Sequence, residues 1–463
     1  MDSKDQKRTI IVGLDGVPYR LLDDLAERDI MPNVRQMIRK GIFRRMESSL
    51  PEVSSVAWSS IITGKNPGEH GIFGFTDVAQ GTYRLCFPNF NDLKAVPFWK
   101  NGNNKNSIII NVPSTFPAKV MNGIHISGFV SLDLERSVYP SSLVPELKTM
   151  DYRIDVDSDK AYKSFDLFLN DLDKTLHARI KAYRYLWDRY DWCTFMLVFT
   201  GTDRLMHFLW DAYEDENHRF HRDFIGHFKK IDRIIGEIIS KLTKEDDFVI
   251  LSDHGFEKLE NDVYINCILK REGFLKLTGE KRLNLSRIDY GTKAFALDPG
   301  RIYINLKGKY PRGSVACQDR ENVVKNRENF FETFRINNER VIKHVYRKEE
   351  IYKGPYCCQA PDIILVGNKG FNLKANINSE KVYSESFFTG KHTQDDAFLL
   401  VNNKHTGDIV PENPGVCDVI DIINQSPRKK VALEKHKTII KDHPYYHKVR
   451  RQGNAKQLKR LSS

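Results

Sequence analysis

Short runs of consecutive apolar, often β-branched residues recur along the chain. Between them lie longer stretches in which apolar positions return every three or four residues. Arg8–Leu14 (RTIIVGL), Ser107–Val112 (SIIINV), Cys193–Thr200 (CTFMLVFT), Asp247–Ser252 (DFVILS), Ile363–Val366 (IILV) and Ala397–Val401 (AFLLV) are of the first kind. They read as strands buried on both faces. Leu21–Ile42, Phe165–Tyr190 and residues 224–242 are of the second kind. In the last of these, Phe224, Phe228, Ile231, Ile235, Ile238 and Leu242 share one helical face. Alternation of the two patterns predicts an α/β fold, with a central, mainly parallel sheet and helices on both faces. From about Leu275 to Tyr356 the rhythm breaks. Gly, Pro and charged residues there surround a strand-like RIYINL, and the stretch reads as an inserted cap region over the core. The expected division is a core domain over residues 1–425, carrying that cap at about 275–356, and a tail over 426–463.

Composition narrows the class. The chain has 463 residues, 40% hydrophobic and 29% charged, as in soluble globular proteins. No apolar run approaches the roughly 20 residues of a membrane-spanning helix, and the polar MDSKDQKRT start has no signal-peptide core. Seven cysteines, with no CxxC pair, fit a reducing cytoplasm. The net charge of +11 is uneven. Residues 426–463 hold 12 basic and 2 acidic side chains, against 60 and 59 in the rest. The basicity belongs to the tail, which could meet a polyanion, a membrane surface or a partner subunit.

Candidate chemistry follows the predicted strands, where ligands bind in open α/β sheets. Asp15 lies in GLDG, Asp203 and His207 in TGTDRLMH, Asp253 and His254 in LSDHGF, and His392 in TGKHTQDD. Singly, each has an ordinary reading as a helix cap, a helix-surface pair or a solvated loop residue. Together, three histidines and three aspartates suffice for two divalent metal ions. Their mixed ligation suits zinc, with manganese or iron as alternatives. In PEVSSVAWSSIITGKNPGEHGIFGF, residues 51–75, Ser54 or Ser55 opens a predicted helix. A serine there is either an N-cap or a nucleophile poised where a helix N-terminus meets an anion.

The Asp of the first strand, the V-S-x-x-x-W-x-x-x-x-T-G-x-x-P-x-x-H-G-I segment, D-x-x-x-H, S-D-H-G and the late G-x-H occur in order across residues 10–400. In this the chain resembles the type I phosphodiesterase/nucleotide pyrophosphatase branch of the alkaline phosphatase superfamily. INVPSTFP and RIYINLKGKYPRG are similar to segments of uncharacterised prokaryotic members. The resemblance implies an alkaline-phosphatase-like three-layer sandwich. It implies one metal on Asp203, His207 and His392, and another on Asp15, Asp253 and His254 that also binds the Ser54 oxygen. Ser54 would then form a phosphoseryl intermediate on a small phosphate ester. One departure stands out: Phe75 falls where nucleotide pyrophosphatases place an asparagine that binds a phosphoryl oxygen, and a phenyl ring cannot donate that hydrogen bond.

Sulfatases of the superfamily carry a C/S-x-P-x-R pattern that is missing after Ser54, and no second-domain motif supports a mutase. The expected function is metal-dependent hydrolysis of a phosphodiester. Alternatives within the superfamily are a phosphomonoesterase and a phosphonate hydrolase. Outside it stands a non-catalytic polyanion-binding protein acting through the tail. Lys65 and Lys391 flank the site in sequence, either as phosphate contacts or as solvated loop lysines.

Overall fold

The computed structural model of the protein describes residues 7–101, 106–279, 284–402 and 409–424; the basic tail over 426–463 lies outside the described residues. Thr9–Leu14 is the middle of an eight-stranded sheet. It pairs in parallel with Thr194–Phe199 on one side and Asp247–Leu251 on the other, so that Ile10 stands between Phe195 and Phe248. Beyond Thr194–Phe199 come Ser107–Val112 and Gly123–Ser127, both parallel, and then the short antiparallel Val138–Tyr139. Beyond Asp247–Leu251 come the antiparallel Ala397–Val401 and the edge strand Ile42–Met46.

The apolar runs are continuous because both faces are covered. Ile10, Val12, Ile108, Ile110, Phe195, Leu197, Phe248 and Ile250 point to one side. There they pack on the helices Tyr19–Glu27, Pro32–Lys40, Phe165–Arg189, Gly201–Glu214 and His221–Ser240. Ile11, Ile109, Met196, Val198, Val249 and Leu251 point to the other side. They pack on Trp58, Ile61 and Ile62 of the helix Ser54–Thr63 and on Val419 and Ile422 of Val419–Ile423. The result is three layers, as the alternation predicts.

Two expectations change. The helical stretch Leu21–Ile42 is two helices, broken at Arg28–Met31, where Asp29 has φ 57°. Pro32 opens the second helix, where its missing N–H costs nothing. Ile363–Gly367 does not join the central sheet. It pairs antiparallel with Arg301–Ile304 and Ile342–Arg347 in a second sheet completed by Ala294–Leu297. That sheet, the helix Arg320–Thr333 and the helix Ile265–Arg271 enclose a separate apolar cluster. Its members, apart from Tyr83, run from Val263 to Ile377 and so contain most of the stretch read as a cap.

The long strand Gly255–Tyr264 links the two bodies. Its first residues pair antiparallel with Gly390–Thr393, placing Phe256 opposite His392, and its last residues pair in parallel with Gly370–Lys374. Among the described residues no helix is long and apolar enough to cross a membrane.

Candidate active site

The chain delivers its polar residues to the carboxyl edge of the parallel strands. Asp15 follows Thr9–Leu14, and Asp253 and His254 follow Asp247–Leu251. Asp203 sits in the first turn of Gly201–Glu214, with His207 four residues on and hence on the same face. His392 arrives on Gly390–Thr393, carried there by pairing with the strand that begins just after His254. Ser54 is the first residue of a ten-residue helix that is buried throughout.

All seven predicted residues meet. The Ser54 hydroxyl lies 3.3 Å from Asp15 Oδ1 and 3.2 Å from His254 Nε2. His392 Nε2 lies 3.1 Å from Asp203 Oδ1 and 3.0 Å from His207 Nε2. Asp253 Oδ2 is 3.4 Å from His254 Nε2. Two ligand groups form, each within 4.8 Å: Asp203, His207 and His392, and Asp15, Asp203 and His254. Asp203 belongs to both.

Hydrogen bonds fix the direction of every group. His207 Nδ1 faces the Gly390 carbonyl at 3.1 Å, His254 Nδ1 the Gly255 carbonyl at 3.1 Å, and His392 Nδ1 the Glu52 carbonyl at 2.9 Å. A carbonyl only accepts, so each Nδ1 carries the hydrogen, and each Nε2 of a neutral ring turns a bare lone pair inward. Trp58 Nε1 donates to Asp15 Oδ2 at 3.0 Å, and the Thr202 hydroxyl to the Asp15 carbonyl at 2.6 Å. Gly16 N–H donates to Asp253 Oδ1 at 3.0 Å. Arg204 Nη1 donates to Asp203 Oδ2 at 2.7 Å.

Burial sets the titration. It pushes Asp253 up to about 7, with the Asp203 charge adding to the effect. It also raises Asp15, helped by Asp253 and Asp203. Burial lowers His207 to about 3 and His254 well below the usual imidazole range, which keeps both rings neutral. Asp203 is the exception. Burial raises it, but the neighbouring His207 and His392 rings and the Arg204 charge prevail and hold it far below an ordinary carboxylate.

The cluster is therefore almost all acceptors. Asp253 Oδ2 is fully buried with no hydrogen-bond partner among the described residues, and the Nε2 atoms of His207 and His392 stand 3.0 Å apart. Divalent cations would satisfy both at once, and three imidazole nitrogens, three carboxylates and a hydroxyl are a donor set they accept.

A cavity of about 350 Å³ opens beside His207 and His392. The body contributes Phe75 and Phe388; Phe371, Asn372 and Lys374 close it from the other side. Lys391 is nearly buried along this wall, with Nζ 2.9 Å from Glu257. Lys65 is absent from the site. It follows the far end of the Ser54–Thr63 helix and faces Glu69 at 3.7 Å.

Trp58 and Arg204 join the site, although the sequence reading assigns neither a role there. Trp58 is the tryptophan of the V-S-x-x-x-W segment and falls four residues after Ser54, hence on the same helical face. That spacing is a usable signal. Arg204 carries none, because adjacent helix residues do not normally face the same point.

The type I phosphodiesterase/nucleotide pyrophosphatase family model matches residues 9–395. No curated protein sequence matches the chain. Among solved structures, phosphonoacetate hydrolase from Sinorhizobium meliloti 1021, in complex with phosphonoformate, shares the fold with a TM-score of 0.60 at 14% identity, over 91% of this chain and 96% of that one. Human ectonucleotide pyrophosphatase/phosphodiesterase 5 aligns with a TM-score of 0.51 at 12% identity, over 94% and 97%.

Proposed function

Because the chain belongs to the type I phosphodiesterase/nucleotide pyrophosphatase family and is a phosphoester hydrolase, we propose that Ser54 is its nucleophile in the metal-dependent hydrolysis of a phosphodiester. One observation carries this reading: three imidazoles, each locked by a backbone carbonyl, turn Nε2 toward a cluster of three carboxylates, and the Ser54 hydroxyl meets that cluster at Asp15 and His254.

Asp203, His207 and His392 would hold one cation. Asp15, Asp253 and His254 would hold the other, together with the Ser54 oxygen and within reach of Asp203. Zinc suits this donor set best, with manganese as the alternative. Bound there, the two ions would supply Lewis-acid stabilisation of the phosphoryl group and ease ionisation of the hydroxyl.

The protein's own groups do the rest. Asp15, held by Trp58, accepts from the Ser54 hydroxyl and orients its oxygen. The helix that starts at Ser54 turns the positive end of its dipole toward a phosphoryl anion. Ser54 Oγ attacks phosphorus and the bond to the first alcohol breaks, leaving a phosphoseryl ester. Water then displaces Ser54 and releases the phosphate product. The cavity beside His207 and His392 supports a diester, since its aromatic walls can receive an organic group on phosphorus. Phe75 lines that cavity with an apolar ring.

The test is hydrolysis of bis-p-nitrophenyl phosphate, p-nitrophenyl phosphate and phosphonoacetate with added zinc or manganese, beside Ser54→Ala. Metal-dependent diester turnover that Ser54→Ala loses by at least about 1,000-fold is expected. Faster turnover of the monoester or of phosphonoacetate would replace the diester assignment. Purification without bound metal, and no turnover, would leave a binding role for the chain.

A further inference from the structure

We infer that Arg204, anchored by Asp155, is a positioning residue that decides which oxygen of Asp203 enters the ligand cluster, and so sets its affinity for cations. The inference rests on the metal reading above.

Asp203 is the one residue, among those described, that both ligand groups share. Its two oxygens have different surroundings. Oδ2 receives Arg204 Nη1 at 2.7 Å. Oδ1 faces the three imidazole nitrogens, 3.1 Å from His392, 3.6 Å from His207 and 4.0 Å from His254. With one lone pair of Oδ2 engaged by Arg204, Oδ1 is the oxygen without a cationic partner. Oδ1 is left at the point common to the two groups.

The contact is built rather than incidental. Residues 203 and 204 are helix neighbours, and neighbours on a helix diverge. The guanidinium has to turn back toward its own neighbour, and three things hold it there. Nε and Nη2 both donate to Asp155 Oδ2, at 3.1 and 2.8 Å. Its carbon lies 4.2 Å from the centre of the Phe129 ring. Asp155 is itself fixed, since its Oδ1 accepts from the Thr200 hydroxyl at 3.2 Å, and that hydroxyl accepts from Asn111 Nδ2 at 3.3 Å. A lysine offers one ammonium and cannot bridge two carboxylates from a planar fork.

Charge and position predict opposite signs. If Arg204 mattered only as a positive charge beside the cluster, removing it would tighten cation binding. If it aims Oδ1, removing it loosens binding. Zinc titration by calorimetry on the full chain separates the two, using wild type, Asp155→Asn, Arg204→Lys and Arg204→Met, with metal-free melting curves to confirm folding. Loss of such supporting contacts commonly weakens metal binding by about 10–100-fold. The expected order is wild type tightest, then Arg204→Lys, with Arg204→Met weakest and Asp155→Asn at least about 10-fold below wild type. Unchanged or tighter zinc binding in folded Arg204→Met overturns the inference. Should Arg204→Met fail to fold, Arg204→Lys decides alone, because it keeps the charge and loses only the planar fork, and wild-type affinity there overturns the inference. A wild-type chain that binds no zinc overturns the metal reading itself, and this inference with it.

Discussion

At the scale of the residue, the cluster is a concentration of groups that dislike one another in the absence of cations. Asp253 shows this best. Burial raises its carboxyl to about 7, whereas in an unfolded chain it would titrate near 3.9. The folded, metal-free protein thus holds a proton that the unfolded chain gives up earlier. The stability contributed by this proton is complete below about pH 4 and is lost as the pH rises through about 7. Cations compete for the same oxygen, so zinc affinity should rise over the same window. Melting of metal-free wild type against Asp253→Asn from pH 4 to 8 checks the first half. The wild type should lose ground to the variant as pH rises, and parallel curves would count against it. Adding zinc should reverse the trend for wild type alone. Which residues gather here was readable, because aspartate and histidine stand at the ends of apolar runs in one fixed order. What holds them was less readable. Arg204 is a charged residue on a helix surface pattern until the fold brings Asp155 to it.

At the scale of the element, the first strand and the Ser54 helix are matched in shape. A methyl group on Gly13 would come 2.4 Å from Trp58 Cη2, and the same indole donates to Asp15. Gly13→Ala should therefore destabilise by about 1–3 kcal/mol through overpacking. It should also weaken zinc binding, because Trp58 shifts off Asp15. Gly226 is the control. It lies within the helix His221–Ser240, where an added methyl would meet nothing within 4 Å, so Gly226→Ala should stabilise by roughly 0.5–1 kcal/mol. Denaturant melts of the two, with equal effects, would remove the argument. Elements also mark where sequence reading runs out. A strand buried on both faces has the same apolar run whether its neighbours are parallel or antiparallel. Ile363–Gly367 therefore reads like Asp247–Leu251 and yet belongs to another sheet. Ile42–Met46, at the sheet edge with Arg44 and Arg45 exposed, had no such run to find.

At the scale of the whole molecule, the two bodies divide the work. No residue of the proposed metal centre belongs to the second apolar cluster, and His392 is held by the linking strand, whereas Phe371, Asn372 and Lys374 reach the cavity from the side of that cluster. Specificity for the organic group should therefore be separable from metal binding. Phe371→Ala and Lys374→Ala should raise KM for bis-p-nitrophenyl phosphate by roughly 10-fold and leave zinc stoichiometry unchanged. Loss of zinc in these variants would show that the second body supports the metal centre as well.

The order of strands has a consequence for biosynthesis. Asp247–Leu251 waits beside Thr9–Leu14 for its other neighbour, Ala397–Val401, which leaves the ribosome only after the entire second body. At about 5–20 residues per second the delay is roughly 7–30 s, and during it a wholly apolar strand presents an unpaired edge. His392 emerges in that same late stretch, just ahead of the closing strand, so the proposed metal centre and the sheet both wait for the last part of the described chain.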